Sequence, residues 1–136
     1  MGAWGNRNFE DDQAQDFADD FLDNPTEAAL LEALAIVAEL GEDDAYIESG
    51  EAIRALVAAE IIAASVGKPS ADFPDKLRGA IKALQMGTNP NIKKLARQAV
   101  KQVLKGSELQ ELWADAEDGE PKEWQAVQQD LLTRLE

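Results

Sequence analysis

The chain has 136 residues with 27 acidic against 13 basic side chains, a formal net charge of −14, and neither cysteine nor histidine. Those two absences remove disulfides, thiol nucleophiles, Ser-His-Asp relays, haem ligation and the usual zinc ligand sets, leaving carboxylates, lysine and hydroxyls for any chemistry. Hydrophobic residues make up 45% of the chain, weighted to alanine and leucine over β-branched and aromatic types, a balance that favours helix over strand.

Residues 1–8 hold no apolar leader and no apolar run approaches the roughly 18 residues of a membrane span, so a cytoplasmic protein is expected. The charge is segregated. Residues 1–60 carry 16 acids and 2 bases, 61–106 carry 2 and 9, and 107–136 carry 9 and 2, so a basic island sits between acidic flanks. A body of this sign opposes nucleic acid and anionic lipid and favours a basic partner.

The expected fold is all-α: one compact bundle of about seven helices over residues 1–136, preceded by a short N-terminal arm over 1–9 that packs on the bundle through Trp4 and Phe9. From Glu10 to Asp23, Ala14, Phe17, Ala18, Phe21 and Leu22 recur at helical spacing. Asn24, Pro25 and Glu27 read as cap, first-turn proline and capping-box acid of a second helix running to Gly41.

Ser49 or Gly50 launches a third helix through Ile53, Leu56, Val57, Ile61 and Ala64 to a stop at Gly67. Lys68 to Pro74 is a loop and Asp75 to Gln85 a short fourth helix. Asn89 and Pro90 start a fifth, which reaches Lys105 before Gly106. Ser107 with Gln110 is a second capping box, opening a sixth helix with Leu109, Leu112 and Trp113 on one face. After a break at Asp118 to Pro121, Trp124, Val127, Leu131 and Leu135 stripe the last helix, Lys122 to Leu135.

Three blocks carry a family resemblance. They are Gly2-Ala3-Trp4-Gly5 with Phe9, Asp12, Ala14, Asp16 and Phe17; Ala58-Ala59-Glu60-Ile61-Ile62-Ala63 with Gly67 and Pro69; and Ser107-Glu108-Leu109 with Leu112-Trp113 and then Trp124. In this order they resemble the domain-of-unknown-function family 4259, an uncharacterised bacterial family. The resemblance implies one domain over most of the chain and brings no activity.

Three constellations bear on function. Asp12, Asp16, Asp19 and Asp23 fall four, three and four apart on one face of the first helix, bordered by Asp20. Like charges at this spacing cost roughly 0.2–0.5 kcal/mol per pair, so a cation would relieve them. That cation is either bulk solvent's, a basic partner's, or a divalent ion, for which Glu60 is the acid to complete the set.

Glu60 lies among apolar neighbours on the third helix, so a buried structural carboxylate is expected, tied to the Trp4 indole, Arg7 or backbone amides of the arm. Lys93, Arg97, Lys101 and Lys105 form a basic stripe on the fifth helix, and packing against the first helix would satisfy both faces. The aromatic side chains read as core.

No cofactor, metal site or catalytic residue is expected. The reading is a non-catalytic protein-binding module whose Asp12, Asp16, Asp19 and Asp23 face a basic partner, without nucleic acid or membrane, resembling immunity or antitoxin proteins in charge and size alone. The alternatives are a self-associating homodimer and a carboxylate-based, divalent-metal enzyme.

Overall fold

The computed structural model describes residues 9, 12–70, 73–84, 90–114 and 120–136. Among them are seven α-helices and no strand: α1 Asp12–Asp23, α2 Glu27–Glu42, α3 Ser49–Ser65, α4 Asp75–Leu84, α5 Pro90–Lys105, α6 Glu108–Ala114 and α7 Glu120–Arg134. The all-α bundle is therefore the observed architecture. Met1 to Asn8, with Trp4 and Arg7, and the side chain of Trp113 lie outside the described residues.

The axis of the bundle is α3. It touches each of the six other helices, and its residues from Ala55 to Ala63 are all buried. Alanines at 55, 58, 59 and 63 let neighbouring helices approach closely, while Leu56, Val57, Ile61 and Ile62 fill the space between them. The buried side chains of the described helices form one continuous cluster, and Phe9 joins it by meeting Phe73 edge-on at a ring separation of 5.5 Å.

The helix ends explain several departures from expectation. The α2 cap is Thr26, whose Oγ1 accepts from the Ala29 N–H at 3.2 Å. Asn24 instead closes α1, its N–H returning to the Asp20 and Phe21 carbonyls, so Pro25 stands between the helices rather than inside α2. Gly41 is likewise no stop. α2 ends through Asp44 at φ 53°, with the Ala45 N–H bonded to the Leu40 carbonyl at 2.8 Å; a short polar side chain tolerates that left-handed conformation. Gly41 serves packing: a Cβ there would collide with the Gln102 side chain of α5. The Gly67 stop does hold, at φ 88°, with the Lys68 N–H returning to Ala63 O at 2.9 Å.

Two expected apolar faces shift. On α7 the buried line runs through Trp124, Gln128, Leu131 and Leu135, while Val127 is half-buried. On α6, Leu109 is buried but Leu112 turns to solvent at 41% exposure. Of the Ser107–Gln110 capping box the serine half forms, Ser107 Oγ accepting the Gln110 N–H at 3.0 Å, and Ser107 Oγ also donates to the Val103 carbonyl, joining the end of α5 to the start of α6.

Candidate functional site

Glu60 illustrates how the fold uses a buried charge. It is 1% exposed, and its carboxylate receives a two-pronged contact from Arg134 near the end of α7: Nη1 to Oε1 at 2.7 Å and Nη2 to Oε2 at 3.3 Å. The guanidinium also donates from Nε to Asp130 at 2.8 Å and from Nη1 to the Lys68 carbonyl at 3.3 Å. Burial works against the Arg134 charge, yet hydrogen bonding and attraction from Glu60, then from Asp130, prevail and hold its pKa above the ordinary value. Periodicity marked Glu60 as needing a partner; the partner is 74 residues away on the last helix, and the expected tie to the arm involves residues outside those described.

The stripe Asp12, Asp16, Asp19 and Asp23 is exposed along its length. Asp19 accepts from Lys76 Nζ of α4 at 2.7 Å, and the α5 bases do not supply its partner. Lys93 and Arg97 instead donate to the carbonyls of Glu136 and Leu135, at 3.0 and 2.8 Å. The alternative in which the acidic and basic faces pair with each other is not seen among the described residues; Lys93 and Arg97 of α5 cap the end of α7 instead. Among the described residues no three carboxylates gather as a metal site would require.

Beside the stripe, α1 and α2 leave a groove of about 280 Å³. Phe17 and Phe21 of α1 and Ala29, Ala33 and Ile36 of α2 supply its apolar lining, with Asp20 and Glu32 contributed from the two helices and Arg54 from α3. Ile36 is 37% exposed. Reading α1 alone marked its aspartates, but a groove built by three helices has no signature in any one of them.

The Ser107-Glu108-Leu109 block, by contrast, is structural. The Glu108 Oε1 accepts the Ser49 N–H at 2.8 Å, capping the first residue of α3, while its own N–H donates to the Ile47 carbonyl at 2.8 Å. The Ser49 bond holds the Glu108 carboxyl below its usual pKa. Leu109 enters the core. Tyr46 Oη donates to Glu111 nearby at 3.3 Å.

The family model described as "Domain of unknown function (DUF4259)" matches residues 2–127. The chain belongs to that family. No curated protein and no solved structure matched it. Within this DUF4259 chain, the Ala58–Ala63 and Ser107–Leu109 blocks build the frame around α3, and Arg134, the partner of Glu60, falls beyond the matched residues.

Proposed function

We propose that the chain is a non-catalytic binding module that takes a basic, partly apolar segment of a protein partner in the α1–α2 groove. The observation that carries this reading is the coincidence of an apolar lining, from Phe17 to Ile36, with Asp20 and Glu32 against the single cation Arg54 among the described lining, and with Asp12, Asp16 and Asp23 of the exposed stripe alongside, Asp19 being held by Lys76. The two components do different work. Burying one aliphatic side chain of the partner contributes about 1.5–3 kcal/mol. Each exposed ion pair adds only about 0.2–1 kcal/mol, so the acids chiefly accelerate encounter and select the sign of the partner.

The non-catalytic part of this reading is supported by Glu60, the buried carboxylate on α3, being committed to Arg134 on another helix. Capture from lysate at low and high salt, followed by association kinetics with the recovered protein, tests the reading. A paired Asp20→Asn and Glu32→Gln variant should associate about tenfold more slowly at low salt, the difference closing as salt screens it. An Ile36→Asp variant should shorten the lifetime of the complex. Unchanged rates in both would refute the groove as the contact.

A further inference from the structure

A second cavity, of about 420 Å³, opens between the C-terminal end of α3 and α4. Its walls are Ala64, Ser65, Gly67 and Pro69 on one side and Phe73, Arg78, Ile81 and Lys82 on the other, so among the described residues the charged lining, Arg78 and Lys82, is cationic. That sign is notable on a chain of net charge −14. We propose that this cavity binds a small amphipathic anion: an apolar, flat body against Phe73, Ala64 and Ile81, with one carboxylate, sulfonate or phosphate held by Arg78 and Lys82.

Lys82 forms no ion pair or hydrogen bond among the described residues, whereas Lys76 on the same helix is committed to Asp19. Arg78 gives its Nε to Asp75 at 3.2 Å, which leaves both terminal amino groups of the guanidinium for a fork onto an anion. Its charge centre stands 5.8 Å from the Phe73 ring centroid, so the apolar and cationic parts of the site adjoin. Arg78 and Lys82 are four residues apart and therefore lie on one face of α4.

At the end of α3 two of the terminal carbonyls, those of Ala63 and Ala64, are already engaged by the chain itself. The Gly67 and Lys68 N–H groups return to the Ala64 and Ala63 oxygens, at 3.0 and 2.9 Å. The volume falls in the range of sites for small organic ligands, about 300–1,000 Å³. This cavity is separate from the α1–α2 groove: Arg54 and Ala64 mark the two ends on α3, ten residues or about 15 Å apart along the helix.

Anilinonaphthalene sulfonate, an apolar fused-ring anion, is a suitable probe, with uncharged phenylnaphthylamine as its control. Titrated into the full chain, the sulfonate should bind saturably at one site, with amide chemical-shift changes at Ala64, Gly67 and Ile81. Arg78→Gln with Lys82→Gln should weaken it about tenfold or more, while circular dichroism shows the fold intact; both side chains are exposed and tolerate the change. Phenylnaphthylamine should be indifferent to that pair of substitutions. Ala64→Phe, which fills the cavity with both cations in place, should remove sulfonate binding as well, and Glu32→Gln in the other groove should leave it unchanged. Absence of saturable binding, equal affinity in the doubly substituted chain, or shifts confined to α1 and α2 would overturn the proposal.

Discussion

Replacing Arg134 by methionine keeps much of the side chain's apolar stem and removes the fork onto Glu60 together with the weaker contacts to Asp130 and the Lys68 carbonyl, so it chiefly probes a buried charge pair. The side chains are 13% and 2% exposed, which places both largely outside the screening of water. Two unit charges about 4 Å apart attract by about 4 kcal/mol at an effective dielectric of 20, in line with the roughly 3–5 kcal/mol measured when one member of a buried pair is removed. Loss of the Asp130 contact adds little, because that carboxylate is 65% exposed.

For a domain of this size such a loss lowers the melting temperature by about 10–20 °C. Glu60→Gln, which leaves an acceptor for the guanidinium, should cost less than Glu60→Ala. Replacing both Glu60 and Arg134 by methionine should recover most of the loss, since an apolar pair of similar volume needs no charge compensation. Urea unfolding followed by circular dichroism measures these four variants and the Glu60→Met single that completes the cycle. If Arg134→Met unfolds at the parent's midpoint, or if the two methionine substitutions simply add, the pair is not the tie described here.

Two further substitutions test other joints of the frame. Gly41→Ala should destabilise the protein by about 1 kcal/mol despite alanine's better helix propensity, because Gln102 must be displaced; adding Gln102→Ala should turn that loss into a gain, and a more stable Gly41→Ala single variant would contradict the close approach of α2 and α5. Glu108 has a depressed carboxyl pKa in the folded chain, so its stabilising contribution is present above the unfolded value and lost as pH falls through the folded one. Glu108→Gln should therefore flatten the decline of stability with acid below about pH 4.5, and an unchanged slope in pH-dependent unfolding would show that the Ser49 cap does not titrate with folding.

Much of the fold was legible because local chemistry decides it. Ser107 and Gln110, Gly67, and Gly106 act where spacing places them, and the run from Leu56 to Ala63 declares a buried helix on its own. Choices between adjacent candidates were less so: Asn24 and Thr26 are both good caps, and the carbonyls of Asp20 and Phe21 claim the first. Gly41 shows that a glycine near a helix end can answer to a side chain on another helix. Gln128, polar yet fully buried, displaced Val127 from the predicted stripe because its surroundings, not its hydropathy, decide the facing.

The candidate sites were less legible still. The aspartates of α1 were visible as a pattern, but the groove beside them joins Phe17, Ile36 and Arg54 from three helices. The basic island divides between two uses, α5 binding the carbonyls at the end of α7 and α4 facing a cavity. Such associations depend on tertiary neighbours, and no helical period encodes them.

The position of α3 has a consequence for how motion is distributed. The amides of its buried stretch, Ala55 to Ala63, are shut in by the surrounding helices, so they are expected to exchange with deuterium only when the bundle opens as a whole and to report the global free energy of unfolding. α4 touches few neighbours, and its outer residues Asp75, Lys76, Arg78, Gly79 and Lys82 are exposed; its amides can exchange through partial openings that leave α3 untouched. The wall of the second cavity that carries Arg78 and Lys82 is therefore the pliable one, set against the last turn of α3, which follows directly on its buried stretch.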